Sequence, residues 1–399
     1  MPWPRRSAEK ANKRHCFSVS GNYKVKNLDI RREYPAQELK KAVIPSSAWR
    51  NGLAVRMPNH LGDAVMALPA LLALKKIVPS DLALFVIAPE YQRKLFMMLP
   101  EVDGFIGLKS PHKWWSRKEF KALKNKRLGI GVMFNRSFRD AVMMRAAGLK
   151  KLYGIPGNSL RELLLTRRLK PVDKKQAQGH MTGQYLAVAS ALGAPPWDGK
   201  LPAFKPVGTP DENLPPIGAL CGHSQMLVLC PGAAYGTAKR WPALAFRAVA
   251  SDWIKRGGIV AVVGGKGERE TGNEVIQGLD PDKIFNLCGE TELDELFWLL
   301  KSALFIIAND SGVMHLGAAT GNCGLTVFGP TDYTATGPIS PNWSLLSDQP
   351  ACAPCFRHDC PTDHCCMTAV TPDLVKKEIF RSLERQNIRL PQPLSETEL

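Results

Sequence analysis

The sequence has no apolar run that approaches the roughly 18 to 20 residues needed to cross a bilayer. Its first residues, MPWPRRSAEKANKRHCFSVSG, are charged and lack the apolar stretch of a secretory signal, so we expect a cytosolic protein. The interleaved aromatic and basic residues that bind single-stranded nucleic acid are also missing. We therefore expect neither a membrane-spanning segment nor a nucleic-acid partner.

The composition is that of an ordinary globular protein, with 45% hydrophobic and 22% charged residues. A chain of 399 residues exceeds what one hydrophobic core usually organises, which favours two domains. The formal net charge is +17, and residues 1–48 contribute 11 Lys or Arg against 4 Asp or Glu. This charge favours anionic partners, such as an acidic membrane surface or phosphorylated substrates, but general solubility also explains it.

Strands and helices alternate in two stretches of the chain. Apolar strands are predicted at Gly52–Met57, Leu82–Pro89 and Leu128–Phe134, each followed by a helical stretch. The alternation restarts at Met226–Cys230, after a region rich in Pro and Gly. We predict an α/β protein in which two doubly wound Rossmann-like domains face each other across a cleft. The predicted segments are an unassigned basic leader at 1–48, an N-terminal domain at 49–205, a linker at 206–216, and a C-terminal domain at 217–399.

The stretch NDSGVMHLGAATGNCGLTVFGPTD begins where a predicted buried strand ends. Helix N-termini leave backbone N–H groups unpaired and attract anions. A phosphate on the N–H groups of Ser311, Gly312 and Val313 would explain this composition, with His315 in the first turn. A plain helix capped by Asp310 or Ser311 explains the same residues, so the residues alone leave both interpretations open.

Two further strand-end loops favour a phosphate or nucleotide site. In CPGAAYGTAKRWP, small residues leave room above the backbone, and Lys239 offers charge to phosphate oxygens. A solvated loop with incidental basic residues explains the same composition. In VVGGKGERE, Gly265 permits close approach, and Glu268 is placed to accept hydrogen bonds from ribose hydroxyls. The second loop is not a Walker A motif, because no Ser or Thr follows the lysine at the required spacing.

A fourth loop, RMPNHLGDAV, opens a helix in the first half of the chain. Asp63 either caps this helix or faces the cleft, where it would take a proton from an incoming hydroxyl.

Six segments, spread in order from about Ala54 to Ile379, together resemble glycosyltransferase family 9, the ADP-heptose:lipopolysaccharide heptosyltransferases. They are NHLGDAVMALPAL, NRSFRDAVMMRAAGLKKLYGI, GHMTGQYLAVASALG, PGAAYGTAKRWP, NDSGVMHLGAATGNCGLTVFGPTD and CAPCFRHDCPTDHCCMTAVTPDLV. The resemblance implies a GT-B fold and an inverting transfer that needs neither a metal nor a cofactor. It implies ADP-heptose as donor, bound by a nucleotide-sugar-binding domain at 217–399, and the Kdo-lipid A inner core as acceptor, bound on an acceptor-side domain at 49–205.

Individual roles follow from the same resemblance. Asp63 corresponds to the catalytic aspartate and Lys239 to the lysine that holds the donor phosphates. The remaining expected donor-binding residues are Ala234, Tyr235, Gly265, Glu268, Asp310, Ser311, Gly312, Val313 and His315. The candidates to meet acceptor phosphates or carboxylates are Arg56, Arg136 and Arg139. We expect a monomer that contacts the anionic inner face of the inner membrane.

The sequence departs from the family at the leader and at the cysteine-rich segment 352–366. The leader is either a membrane-surface arm or the result of a misassigned start codon. Five of the ten cysteines lie between Cys352 and Cys366, and Cys-x-x-Cys is a usual half-site for zinc. Reduced or partly paired thiols that shape a loop beside the acceptor cleft are the preferred interpretation.

Two other functions stay open: a related transferase with another nucleotide sugar, and a non-catalytic protein that binds nucleotides or lipids.

Overall fold

The computed structural model of the chain describes residues 24–26, 38–155, 159–173, 179–205, 220 and 223–388. The predicted linker 206–216 and most of the leader lie outside these residues. Within the described ranges, no helix combines the length and the apolar composition that a membrane span requires.

The N-terminal half forms one parallel sheet whose strand order is β4-β3-β2-β5-β6-β7. The sheet grows in opposite directions from the β2–β5 pair, so the carboxyl ends of β2 and β5 form its topological switch point. The strands in chain order are β1 Lys24–Lys26, β2 Gly52–Arg56, β3 Ala83–Pro89, β4 Gly104–Leu108, β5 Ile130–Met133, β6 Lys151–Gly154 and β7 Arg167–Arg168. The helices are α1 Leu61–Met66, α2 Leu68–Lys75, α3 Arg93–Met97, α4 Arg117–Lys124, α5 Phe138–Ala146, α6 Ser159–Leu164 and α7 Met181–Ala191, with 3-10 turns at Ser46–Ala48 and Glu90–Gln92.

The C-terminal half forms a second sheet in the order β1-β13-β12-β11-β8-β9-β10, which is parallel except for β1. Its switch point lies between β8 and β11. The strands are β8 Met226–Cys230, β9 Ile259–Val262, β10 Ile284–Asn286, β11 Phe305–Asn309, β12 Gly324–Phe328 and β13 Trp343–Ser347. The helices are α8 Ala243–Lys255, α9 Arg269–Ile276, α10 Leu293–Ser302, α11 Gly312–Ala319, α12 Tyr333–Thr336, α13 Cys365–Thr368 and α14 Pro372–Arg385, with 3-10 turns at Thr237–Lys239 and Lys266–Glu268.

Burial explains why these strands form. Every residue of β2, β5, β8, β9 and β11 is buried, as expected for central parallel strands covered by helices on both faces. The predicted strand and helix alternation is confirmed in both halves.

The structure differs from the prediction at one helix and at the leader. The apolar stretch after Asp63 breaks at Ala67, because Pro69 near the start of α2 has no N–H to continue the ladder from α1. In the leader, β1 pairs with the edge strand β13. Leu39 is buried, and the backbone N–H groups of Lys40 and Ala42 bond to the N-terminal half. Residues 38–48 therefore pack as part of that half.

Candidate active site

The candidate residues lie at the switch points of the two sheets. The loop from Arg56 to Leu61 leaves the carboxyl end of β2, and Arg136 follows β5 beside it. On the other half, the loop 231–242 leaves β8, and Ser311 follows β11 beside it. The topology gathers residues that are distant in sequence at one edge of each sheet. Open parallel sheets bind ligands at such switch points.

The two halves touch where α1 meets α11. A Cβ at Gly62 would lie 2.8 Å from Cδ2 of His315, and a Cβ at Gly312 would lie 3.0 Å from Cβ of Leu61. Glycine at both positions therefore lets the two helix starts approach closely. Gly312 was predicted to offer its N–H to a phosphate, and its lack of a side chain also allows contact with the opposite half. Because Gly62 precedes Asp63 and Gly312 follows Ser311, this contact fixes the candidate base beside the candidate phosphate site.

Ser311 caps α11, and Asp310 has a different role. The hydroxyl of Ser311 accepts a hydrogen bond from the Met314 N–H at 3.4 Å. The carboxylate of Asp310 accepts from Lys239 Nζ at 2.6 Å and from Thr331 Oγ1 at 2.7 Å. Asp310 is 7% exposed and Lys239 15%, so this ion pair is largely shielded from water. Asp310 thus orients the lysine, which keeps two further N–H donors for a ligand.

Asn309 joins the loops of the C-terminal half. Its buried amide donates to the carbonyl of Pro231 at 2.7 Å and accepts from the Trp241 N–H at 3.0 Å. The end of β11 is thereby tied to both ends of the lysine loop. On the far side of the site, the Glu268 carboxylate accepts from the Gly265 N–H at 2.7 Å and covers Gly232, where a side chain would collide with it. Glu268 and the start of the lysine loop therefore lie against each other at this end of the sheet.

Asp63 lies at the third position of α1 and does not cap it, since His60 is the N-cap residue. Burial raises the pKa of the Asp63 carboxyl, and the positive charges of His60 and Lys239 oppose this shift. The negative charge of Asp63 in turn raises the pKa of the buried Tyr185 hydroxyl, which burial already holds well above its ordinary value. A carboxyl group with a raised pKa in a cleft is suited to general-base catalysis.

His315 is 4% exposed and packs against Gly62, and its Nδ1 has no hydrogen-bond partner among the described residues. Burial lowers the pKa of this imidazole to about 4. The ring is therefore neutral near pH 7, and it packs at the contact between the two halves.

The three arginines expected to meet an acceptor differ in accessibility. Arg56 is fully buried and donates from Nε to Asp140 Oδ2 at 2.8 Å and from Nη2 to Asn59 Oδ1 at 2.6 Å. Its guanidinium is thus engaged within the protein. Arg136 is exposed and Arg139 is half-buried, and both flank the carboxyl end of β5. These two, and not Arg56, are free to contact a large anionic ligand directly.

Comparison with known proteins identifies the family of this chain. The sequence profile of Glycosyltransferase family 9 (heptosyltransferase) matches residues 116–366, more than half of the chain. The chain belongs to this family.

The relatives cover most of the chain. It is 29% identical over 298 residues to lipopolysaccharide heptosyltransferase 2 of Escherichia coli (strain K12), covering 71% of this chain and 84% of the relative. It is 29% identical over 334 residues to lipooligosaccharide heptosyltransferase 2 of Campylobacter jejuni subsp. jejuni serotype O:6, covering 82% and 97%. The solved structure of E. coli ADP-heptose lps heptosyltransferase II superposes with a TM-score of 0.68 at 25% identity, over 84% of this chain and 99% of that one. The predicted family, the GT-B fold and the glycosyltransferase class are confirmed.

The cysteine-rich segment lies against the loop 231–242 of the C-terminal half, whereas the sequence analysis placed it beside the acceptor cleft. The carbonyl of His358 accepts from the Ala238 N–H at 3.0 Å, and Asp359 Oδ1 accepts from Thr237 Oγ1 at 2.7 Å. The imidazole of His358 also packs on the exposed ring of Tyr235, with centroids 5.7 Å apart. The segment thus supports the loop that carries Ala234 and Lys239.

Five cysteines lie in this segment, between Cys352 and Cys366. No cysteine in the described ranges forms a disulfide, and there no three His, Cys, Asp or Glu side chains are arranged to hold a metal ion. Burial raises the pKa of the Cys366 thiol to about 12, and the neighbouring thiols add to this shift.

Three residues of the site were missed by the sequence analysis, namely Asp140, Asn309 and Thr331. Asp140 pairs with a residue 84 positions away, and Thr331 with one 21 positions away. Asn309 is the first residue of the stretch NDSGVMHLGAATGNCGLTVFGPTD and the last residue of the buried strand β11. Its position was the one feature of the sequence that could have indicated a role for Asn309, because a buried amide at a strand end must find hydrogen-bond partners in a neighbouring loop.

Proposed function

We propose that this chain transfers heptose from ADP-L-glycero-D-manno-heptose to the inner core of lipopolysaccharide, with inversion at the anomeric carbon. The family and the names of the relatives support the reaction class, the sugar and the pathway. The observation that carries the mechanism is the contact of α1 with α11, which holds Asp63 of one half beside Lys239 and the α11 N-terminus of the other.

Inversion requires the acceptor hydroxyl to attack from the side opposite the leaving ADP. Asp63 on the acceptor half removes the proton of this hydroxyl, and its raised pKa makes it a stronger base than an ordinary aspartate. On the donor half, Lys239 and the backbone N–H groups of Gly312 and Val313 stabilise the charge that grows on the departing diphosphate. Because these groups are held in place before the reaction, they supply the stabilisation that a metal ion provides in other transferases.

Each half of the chain recognises one of the two substrates, the C-terminal half the donor and the N-terminal half the acceptor. Glu268 accepts the ribose hydroxyls, while Gly265 and Ala234 leave room for the nucleotide and Tyr235 covers it from the solvent side. Arg136 and Arg139 meet the phosphate or carboxylate groups of the Kdo-lipid A core. The enzyme acts as a monomer, because the two halves of one chain supply both sides of the cleft. The acceptor is a membrane lipid, so the enzyme works in peripheral contact with the anionic inner leaflet.

The test is a donor and acceptor screen on the purified protein, read by mass spectrometry. ADP-heptose is compared with ADP-glucose, GDP-mannose and UDP-N-acetylglucosamine, each with Kdo-lipid A and with its heptosylated product. We expect transfer from ADP-heptose only, at a rate that EDTA does not change. Transfer from another donor, or binding without turnover, would replace the proposal with one of the two open alternatives.

The variant Asp63→Asn tests the base in the same assay. We expect transfer to fall by about 10²- to 10⁴-fold, the usual contribution of a general base, with ADP affinity unchanged. Asp81→Asn, an exposed aspartate of the same half, is the matched control and keeps full activity. If Asp63→Asn turned over nearly as fast as the control, Asp63 would not be the catalytic base.

A further inference from the structure

The N-terminal half exposes apolar side chains along the edge of its sheet that carries the acceptor site. Trp114 is 55% exposed after β4, and Leu160 and Leu163 are 61% and 75% exposed on α6, which follows β6. Apolar side chains exposed singly are ordinary on protein surfaces, but Leu160 and Leu163 stand three positions apart on one face of α6, and Trp114 lies at the same edge of the sheet. In the C-terminal half, the described residues of this kind are Tyr235 and Leu244.

These apolar side chains are held outward by buried neighbours. Trp115, next to Trp114, is 7% exposed and donates from its indole to Asp140 Oδ1 at 2.9 Å. Arg161, between the two leucines, is fully buried and donates to the carbonyl of Asn135 at 3.0 Å. Asn135 in turn donates to Asp140 Oδ2 at 2.6 Å. One hydrogen-bonded network therefore fixes both elements and turns Trp114 and the leucines toward solvent.

Basic residues surround the tryptophan. Residues 109–127 contain eight Lys or Arg and one acidic residue, Glu119. All eight basic side chains are exposed. Within the described structure none of them forms an ion pair, and the Glu119 carboxylate is used to cap α4. The basic residues are Lys109, Lys113, Arg117, Lys118, Lys121, Lys124, Lys126 and Arg127.

We propose that this edge docks on an anionic lipid bilayer at two points: Trp114 with Lys113 and Lys118 on one side, and Leu160 with Leu163 on the other. The inference rests on the proposed function in one respect, that the acceptor is a membrane lipid. β4 and β6 are four strand spacings apart, or about 19 Å, so the two points stand on either side of the loops after β2 and β5. Arg136 lies on the loop after β5, and Asp63 lies in the first turn of α1, directly after the loop that follows β2. An acceptor headgroup that projects from the bilayer between the two points therefore meets the cleft.

The bilayer fits the surface better than a protein partner does. Tryptophan favours the membrane interface, where its ring meets acyl chains and its N–H meets headgroups. Lysines close to an anionic surface each add to binding, and the attraction weakens as salt increases.

The experiment measures co-sedimentation of the full chain with vesicles of phosphatidylglycerol and phosphatidylcholine, or of phosphatidylcholine alone. We expect binding to the anionic vesicles only, decreasing with salt. Lys113→Glu with Lys118→Glu lowers the partition coefficient at least tenfold, and Trp114→Ser or Leu160→Ser with Leu163→Ser lowers it severalfold. The matched controls lie on the C-terminal half: Lys377→Glu with Arg381→Glu for charge, and Leu244→Ser for exposed apolar surface.

The outcomes separate this inference from the proposed function. Each edge variant keeps its rate on a deacylated, soluble acceptor and is slowed only on acceptor embedded in vesicles. Equal binding to both vesicle types, or equal losses in the edge and control variants, would overturn the docking surface whatever the enzyme transfers. Failure of the parent to use any heptose donor, with vesicle binding intact, would count against the reaction and leave the surface standing.

Discussion

The two halves of the molecule share one architecture and carry opposite charges. Residues 49–205 hold 27 Lys or Arg against 10 Asp or Glu, a net of +17, whereas residues 217–399 hold 15 against 20, a net of −5. Both halves are proposed to receive anionic ligands, a membrane lipid on one side and a nucleotide diphosphate on the other. Overall charge therefore cannot be the common basis of recognition.

The acidic half is proposed to recognise its anion through local geometry. Its positive groups at the site are Lys239 and the N-terminus of α11, and Asp310 and Asn309 hold the surrounding loops at fixed distances. The basic half instead spreads exposed charge over a long surface. A small ligand in a cleft needs a few directed hydrogen bonds, while a large charged surface is attracted by the summed field. We infer that salt affects the two halves very differently.

The largest effect that would sharpen this comparison is expected from Lys239→Ala. Loss of a charge-assisted hydrogen bond to phosphate weakens binding by about 1.5 to 3 kcal/mol, so ADP affinity falls about 10- to 150-fold. Titration calorimetry measures it, with Lys377→Ala on α14 as the charge-matched control. Vesicle binding of Lys239→Ala stays at the parental level. An equal loss of ADP affinity in the control would show that net charge, and not position, governs the donor half.

A smaller effect is expected where the halves touch, in Gly62→Ala. The new Cβ would lie 2.8 Å from Cδ2 of the buried His315, so the two helix starts must separate. Displacements of a fraction of an ångström between reacting groups lower the rate, here by about tenfold. ADP affinity is unchanged, because Gly62 lies outside the donor half. Gly267→Ala is the control, since a Cβ there meets open space. A matching fall in ADP affinity would mean that Gly62 shapes the donor pocket itself.

Local patterns predicted the fold and the positions of the candidate residues. Apolar runs between Gly-rich loops place β2, β8 and β11 because these strands are buried on both faces, and ligands of such sheets bind at strand ends. Short or less regular strands, such as β7 and β13, give no comparable signal.

What the sequence could not predict are the partners of each charged residue. Arg56 has the same local appearance as Arg136, yet Arg56 is buried against Asp140. The function of Gly312 as a contact residue likewise depends on Leu61, some 250 positions away along the chain. Such pairings arise only when the two sheets are assembled.

The smallest effect concerns His180, which links the halves directly. Its Nε2 donates to the carbonyl of Gly337 at 3.0 Å, and its Nδ1 accepts from the Thr182 N–H at 3.1 Å, so the buried ring is neutral. Burial lowers the pKa of this imidazole to about 4. Between pH 6.5 and 4 the unfolded chain binds a proton that the folded chain does not, so stability decreases as the pH falls through this range. At pH 5.5 the loss is about 1.4 kcal/mol for a histidine with this shift.

His180→Gln removes this titration while its amide still donates to Gly337. Urea denaturation at pH 7.5 and pH 5.5 compares it with the parent and with His112→Gln, an exposed histidine of the same half. We expect the parent and His112→Gln to lose about 1.4 kcal/mol more between these two pH values than His180→Gln does. His315, whose buried ring has the same low pKa, adds a further loss in all three proteins; this loss is smaller in His180→Gln, because the charge of His180 contributes to the low pKa of His315. The same pH dependence in all three proteins would mean that the ring of His180 is exposed to water and is protonated in the folded protein as it is in the unfolded chain. The two halves would then not be closed over this ring in solution.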